Sequence, residues 1–187
     1  MDDSRLMSLI KQGKTEYIGE IAARYYDDIY RFLCFKTGDS DLAGDLTQET
    51  FLRFIRYLDG YRERNLKGYL LTLAMNVCRD HWKTESRHSR ERSWEQLQEE
   101  GRAEGRQRAD AGYDWENGGE QEEAARLELK EALLKLPEFQ RDAILLHYYY
   151  GFKDREIGKM TGTAVSTVKS RIRQGCLKLR ELLGQDF

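Results

Sequence analysis

The sequence is poor in proline and cysteine. Among its 187 residues there is one proline, Pro137, and the three cysteines, Cys34, Cys78 and Cys176, are far apart and outside any Cys-x-x-Cys pair. This usage predicts buried thiols in a reducing cytoplasm rather than a disulfide framework or a zinc site. The three histidines form no ligand spacing either, so we expect neither a metal nor a cofactor.

Long apolar runs are also absent, and no stretch approaches the roughly 18 residues that a membrane-spanning helix needs. The first residues, MDDSRLMSLIKQGK, start with acids and contain no apolar core, unlike a signal peptide. We therefore expect no secretion and no direct insertion into a membrane. The apolar spacing is helical almost throughout, which predicts an all-α protein.

The charge is unevenly distributed along the chain, although the net charge is only −2. Residues 1–83 hold 13 Lys/Arg and 13 Asp/Glu, residues 84–124 hold 6 and 12, and residues 125–187 hold 12 and 8. The acidic middle segment has few large apolar residues, so it cannot offset its ordering entropy by burial. We predict two small helical domains, 1–83 and 125–187, joined by a flexible acidic linker at 84–124.

Two predicted helices of the first domain each carry a polar face. The helix at about 41–58 places Asp45, Gln48, Glu49 and Leu52 at i, i+3, i+4 and i+7. This stripe is either a solvated face with a stray leucine or a docking patch for a basic partner.

The second of these helices covers about residues 66–83. It lines up an aromatic ring, a hydroxyl, an amide and two cations in one row: Tyr69, Thr72, Asn76, Arg79 and Lys83. Such a row suits single-stranded DNA, since rings stack on bases and cations follow the backbone. A solvated helix face is the alternative.

Residues 151–173 predict a helix-turn-helix with its turn at Thr161-Gly162-Thr163. The second helix, from near Ser166 to Leu183, has an apolar stripe on one side. Its other side and flanks carry small polar groups and cations: Ser166, Lys169, Ser170, Arg171, Arg173 and Gln174. Polar groups of this kind read base edges in the major groove, and flanking cations meet phosphates.

Three blocks of the chain, in order, resemble the extracytoplasmic-function group of bacterial sigma factors. DLTQETFLRF at 45–54 is similar to the core-binding motif of the family's second region. LKGYLLTLAMNVCRD at 66–80 is similar to its promoter-melting helix. Residues 136–172, from LPEFQRD to VSTVKSRI, are similar to its fourth region. One such block would be weak evidence, whereas three in order with a linker between them are strong.

The resemblance implies a role for each block, with the chemistry left to RNA polymerase, so the chain itself is expected to be no enzyme. Asp45, Gln48, Glu49, Phe51 and Leu52 would bind the clamp helices of the largest polymerase subunit. The row from Tyr69 to Lys83 would bind and melt the minus-ten element. The helix-turn-helix, with Thr167 added to the residues above, would read the minus-thirty-five element and contact the flap of the second-largest subunit. An anti-sigma factor is a further implied partner.

The chain departs from the family's pattern in its reading helix. Ala164 stands where a capping serine is common, so the helix is expected to start less firmly. Gln174, Gly175 and Cys176 stand where the family often has Arg, Ala and a basic residue, which removes two cations and inserts a glycine expected to be flexible. Because glutamine pairs with adenine edges, we predict an adenine preference at the base facing Gln174.

Two other functions are compatible with parts of the sequence. A stand-alone helix-turn-helix regulator would need a ligand pocket or dimer interface in residues 1–83, and we find no such signature. An enzyme would need clustered carboxylates or histidines around one cavity. Asp45 and Glu49 share a helix face, but no second acidic pair accompanies them.

Overall fold

The computed structural model describes residues 1–62, 65–96 and 120–184. Within these ranges all regular structure is helical, which confirms the all-α prediction. The chain divides into two compact units, the first containing most of the N-terminal helices and the second the C-terminal ones. Residues 34–40 are grouped with the second unit. The predicted linker's residues 97–119 lie outside the described residues.

Four helices form the N-terminal part: α1 (Asp3–Lys11), α2 (Ile18–Thr37), α3 (Ser40–Arg56) and α4 (Leu66–Gln96). Single 3-10 turns lie at Thr15–Tyr17 and Leu58–Gly60. Asp2 is the N-cap of α1, and its side chain accepts a hydrogen bond from the Arg5 backbone N–H at 2.8 Å. The interior of the first unit is made of large apolar side chains with no exposure, including Leu6, Ile21, Ile29, Phe32, Phe54 and Leu70.

Helix α4 extends past Lys83, the predicted end of the first domain, to Gln96. Residues 84–96, which belong to the predicted linker, are therefore helical. This segment contains no glycine or proline and has three Arg and three Glu, which favour helix intrinsically. Its low apolar content argues against burial, which is a separate matter from helix formation.

The C-terminal part contains α5 (Glu120–Leu134), α6 (Glu138–Ile144), a π-helical turn (Leu145–Tyr149), α7 (Asp154–Thr161) and α8 (Val165–Leu183). Pro137 separates α5 from α6, as predicted, and occupies the N-cap of α6. Since α5 begins at Glu120, residues 120–124 also differ from the predicted linker.

Burial in the second unit does not follow helical spacing at two positions. Leu129 on α5 is 43% exposed and Phe139 on α6 is 57% exposed, although each lies four residues before a buried residue of its own helix, Leu133 and Ala143. The π-helical turn follows directly on α6, and its first two residues, Leu145 and Leu146, continue an unbroken run of buried residues that begins at Arg141.

Among the described residues, the cysteines form no disulfide and the acidic groups form no metal site. Cys34 and Cys78 are buried, as predicted, whereas Cys176 is only half-buried. None of the three forms a disulfide. Among the described residues, no group of three or more His, Cys, Asp and Glu is placed to hold a metal ion. None of the described helices combines the length of a membrane span with sufficiently apolar residues.

Candidate nucleic-acid interface

The polar face of α3 is open to solvent. Asp45 and Gln48 are exposed, Glu49 is half-buried, and Leu52 is 57% exposed. One turn further along, Ile55 is 44% exposed and extends the apolar part of this surface. The sequence signal for Ile55 was its spacing of three residues from Leu52, which puts both on one helix face. We call Asp45, Gln48, Glu49, Leu52 and Ile55 the α3 face.

Phe51 does not belong to this surface, although it was predicted to bind polymerase with the others. Its side chain is 8% exposed, and its ring stacks on that of Tyr26 with centroids 6.3 Å apart. The residue follows Thr50, which is fully buried, and shares its side of the helix with the core residue Phe54. Phe51 therefore supports α3 from within the first unit instead of facing a partner.

An ion-pair network joins the α3 face to α4. Arg53 Nε lies 2.8 Å from the Glu49 carboxylate, and Arg53 Nη1 lies 2.6 Å from that of Asp80. The hydrogen bond from Arg53 lowers the pKa of Asp80 below its usual value. The same pairing raises the pKa of Arg53, mainly through the hydrogen bond to Asp80. The network holds the Glu49 carboxylate at the edge of the α3 face.

The first two residues of the predicted α4 row are held by the protein itself. The Tyr69 ring packs edge-to-face against Tyr61, with centroids 4.9 Å apart, and against Phe54 at 6.4 Å. The Thr72 hydroxyl donates to the Gly68 carbonyl at 2.8 Å. Tyr69 is therefore half-buried, and its ring takes part in the packing between Tyr61 and Phe54.

The remaining three residues of the row are exposed. Asn76, Arg79 and Lys83 follow one another at i, i+3 and i+7 along α4, so they share one side of the helix. Arg79 donates to the Asn76 side-chain oxygen at 3.2 Å, which orients the amide. We call these three residues the α4 row. It presents two cations and one oriented amide to solvent.

Two glycines with different roles allow the tight turn between the two helices of the helix-turn-helix. Gly162 ends α7 in the left-handed conformation, with φ of 66°, which glycine adopts without steric cost. Gly158 lies inside α7, where an added Cβ would sit 2.8 Å from the Thr163 carbonyl oxygen. The Thr163 N–H donates to the Gly158 carbonyl at 2.9 Å, so the turn folds directly onto this glycine. The predicted turn at 161–163 is present.

Helix α8 begins at Val165 with Ala164 at its N-cap, where no side chain caps the helix. The side-chain hydrogen bond that a serine at this position could accept from the helix is therefore absent. Val168 is fully buried, and Ile172, Leu179 and Leu183 are half-buried on the same side. The opposite side is exposed and carries six of the seven predicted DNA-binding residues: Ser166, Thr167, Lys169, Ser170, Arg173 and Gln174.

Arg171, the seventh predicted DNA-binding residue, contacts α6 instead. Its guanidinium lies 4.8 Å from the centroid of the Phe139 ring, and its side chain is half-buried. A guanidinium over an aromatic face is a favourable pair even near solvent. Arg171 is thus bound to α6, and this contact also accounts for the exposed position of Phe139.

Gly175 is a close-packing residue, which corrects the expectation of a flexible glycine. It is buried inside α8, and an added Cβ would sit 2.6 Å from Ile144 Cδ1 and 3.3 Å from Gln140 Cβ. The missing side chain lets α6 approach α8. Periodicity within α8 could not predict this role, because it does not reveal which residues of another helix lie opposite Gly175.

A cation that the sequence reasoning left out lies beside the predicted ones. A groove of about 450 Å³ runs along α8, and its rim carries Lys169, Arg173 and Arg180. Its walls include the apolar side chains of Ile172 and Leu177. The spacing of four and seven residues that links these cations was the available signal.

Comparisons with known proteins point to one family. The family model described as Sigma-70 region 2 matches residues 21–88, and that described as Sigma-70 region 4 matches residues 126–179. The ECF RNA polymerase sigma factor EcfG of Rhodopseudomonas palustris is 31% identical over 80% of this chain and 76% of its own length. BldN of Streptomyces coelicolor, also an ECF RNA polymerase sigma factor, is 26% identical over 99% of this chain and 68% of its own length.

Two solved structures share the fold. The sigma factor RpoE from Bartonella quintana, crystallised with the anti-sigma factor NepR, aligns with a TM-score of 0.70 and 24% identity over 90% of this chain and 98% of its own. CnrH in complex with the cytosolic domain of CnrY aligns with a TM-score of 0.67 and 20% identity over 99% of both chains. At these identities the likeness concerns the fold.

Proposed function

The chain belongs to the extracytoplasmic-function group of the sigma-70 family, whose members are transcription-initiation subunits, and we propose that it directs core RNA polymerase to promoters by reading their minus-ten and minus-thirty-five elements. The observation that carries this proposal is the exposure of six predicted DNA-binding residues on one side of α8. Polymerase performs the chemistry, and this chain supplies recognition in the cytoplasm.

The α3 face is the proposed contact with core polymerase. Two exposed polar side chains, Asp45 and Gln48, lie on the same helix face as two exposed apolar ones, Leu52 and Ile55. A basic helical partner such as the clamp helices of the largest subunit complements this arrangement, because apolar contact supplies affinity and charge supplies orientation. Glu49 is held in place by Arg53, so part of the face is ordered before binding.

The α4 row is the proposed contact with the melted minus-ten element. Arg79 and Lys83 would follow the phosphate backbone, and the Asn76 amide would contact a base edge. Tyr69 would stabilise α4 through Tyr61 and Phe54 rather than stack on bases. Capture of an unpaired base would offset the cost of unstacking it.

Helix α8 is the proposed reader of the minus-thirty-five element. Its N-terminal serines and threonine would reach base edges in the major groove, with Lys169 and Arg173 on phosphates. The second unit would also contact the flap of the second-largest subunit. Because both structural relatives are complexes with a second protein, one of them an anti-sigma factor, we propose that an anti-sigma factor binds this chain as well.

Run-off transcription with bacterial core polymerase on a pool of promoter fragments tests the function. New discrete transcripts are expected with this protein and are expected to vanish with Asp45→Lys or Asn76→Ala. Asp59→Lys is the matched control, since it makes the same charge change at an exposed position outside the α3 face. Duplex binding without core binding or new transcripts would instead indicate a stand-alone regulator.

A further inference from the structure

The N-terminal turn of α6 contacts the reading side of α8 through a pair of glutamines. Gln140 Nε2 donates a hydrogen bond to Gln174 Oε1 at 3.4 Å. Gln174 is exposed on α8, and Gln140 is half-buried on α6. The side chain predicted to read a base therefore has a partner on a different helix.

Gly175 makes this contact possible. With no Cβ at Gly175, the Gln140 Cβ approaches to 3.3 Å of the position where one would stand, and Ile144 approaches closer still. Helix α6 consequently passes next to Gln174. With a larger residue at 175, α6 would stand further off and the two amides would separate.

The orientation of the Gln140 amide follows from its surroundings. Its Oε1 atom is buried and has no hydrogen-bond partner among the described residues. Exchanging the oxygen and nitrogen would bury an NH₂ group there, which leaves two donors unsatisfied in place of one acceptor. The NH₂ of Gln140 therefore faces Gln174, and the carbonyl of Gln174 faces Gln140.

We propose that Gln140 is a positioning residue that sets which base Gln174 selects. Adenine recognition by glutamine needs the carbonyl and the NH₂ to meet one base edge together. A carbonyl directed at α6 turns away from that edge, so the NH₂ becomes the group presented to DNA. A lone donor pairs with the N7 acceptor that both purines offer, and guanine adds the O6 acceptor beside it.

This inference rests on the proposed function, and it revises the adenine preference expected from the sequence. At the base facing Gln174, the chain selects purines without favouring adenine over guanine. Releasing the Gln174 carbonyl restores adenine recognition. Gln140 thus acts on specificity without touching DNA.

The test uses the full chain with bacterial core polymerase on promoters randomised across the minus-thirty-five element, each linked to its own barcode in the transcribed region, followed by sequencing of the barcodes in the transcripts. With the unmodified chain, adenine and guanine are expected within about twofold of each other at one position. Gln140→Met, which keeps the length and removes the donor, is expected to raise the ratio of adenine to guanine there about fivefold or more, the discrimination of a good bidentate pair. Gln174→Ala is expected to abolish the purine preference at that position.

Two further variants distinguish a change in the orientation of the Gln174 amide from a general loss of stability. Gln140→Leu also removes the donor without adding an acceptor for the Gln174 NH₂ and is expected to act like Gln140→Met, whereas Gln140→Lys keeps a donor and is expected to preserve the unmodified ratio. A chain that already selects adenine tenfold over guanine, or a ratio unchanged in Gln140→Met and Gln140→Leu, overturns the inference while leaving the proposed function intact. If no chain enriches any minus-thirty-five sequence, the proposed function fails and the inference with it.

Discussion

Gly175 controls how closely α6 and α8 pack. We expect Gly175→Ala to lower the free energy of unfolding by about 1–3 kcal/mol, because its Cβ would sit 2.6 Å from Ile144 Cδ1 and the packed core must shift. Adding Ile144→Val, which removes that Cδ1 atom, is expected to recover part of the loss. Denaturant unfolding of the single and double variants measures both effects.

Gly19 supplies the matched control. It lies in α2, where an added Cβ would meet nothing within 4 Å. Gly19→Ala is therefore expected to stabilise the chain by about 0.5–1 kcal/mol through helix propensity alone. Equal effects of alanine at 19 and 175 would contradict the close-packing role of Gly175.

Single aromatic residues show where sequence reasoning stops. Helical spacing agrees with the burial of Leu70, Ala43 and Val168. It does not account for the exposed ring of Phe139, which contacts the Arg171 guanidinium, and it gives no warning that Phe51 and Tyr69 are packed by neighbouring rings. Periodicity compares a residue with its own helix, whereas burial depends on the side chains of other helices.

At the scale of elements, the angle between α7 and α8 depends on Gly158. We expect Gly158→Ala to cost about 3 kcal/mol of stability and to abolish binding of minus-thirty-five duplex DNA. The reason is that its Cβ would meet the Thr163 backbone oxygen at 2.8 Å, which cannot move without opening the turn. Fluorescence anisotropy with labelled promoter duplex measures the binding.

Gly162→Ala is the comparison within the same motif. An added Cβ there meets nothing within 4 Å, so the cost is limited to the left-handed backbone, about 1–2 kcal/mol. Duplex binding should survive in this variant below its melting temperature. Loss of binding in both variants to the same degree would show that stability, rather than the angle between the helices, limits recognition.

The sequence predicts the presence of the helices more accurately than the residues at which they end. The composition of residues 84–96 was interpreted as linker, yet α4 continues through them to Gln96. A long polar segment without glycine or proline can propagate a helix that an apolar segment has already nucleated, here residues 66–83. The turn of the helix-turn-helix was foreseen because Gly162 adopts a positive φ that few other residues tolerate.

Across the whole molecule, the proposed contacts are divided between the two units. The α3 face and the α4 row belong to the first unit, and the reading side of α8 belongs to the second. The net charge of −2 hides this division, since residues 125–187 alone hold 12 Lys/Arg against 8 Asp/Glu. A promoter bound through both units is held by two linked contacts, so each contributes a separate factor to recognition.

This division predicts how variants combine. Under the proposed function, Asn76→Ala is expected to weaken contact with the minus-ten element and Lys169→Ala contact with the minus-thirty-five element, through residues that belong to different units. Their effects on run-off transcription are expected to multiply within about twofold, as for independent sites. Lys169→Ala and Arg173→Ala serve as the comparison, because these residues line one groove and are expected to depart from a simple product. If Asn76→Ala causes no further loss once Lys169→Ala is present, the two elements are not read independently, and recognition by this chain is a single concerted step.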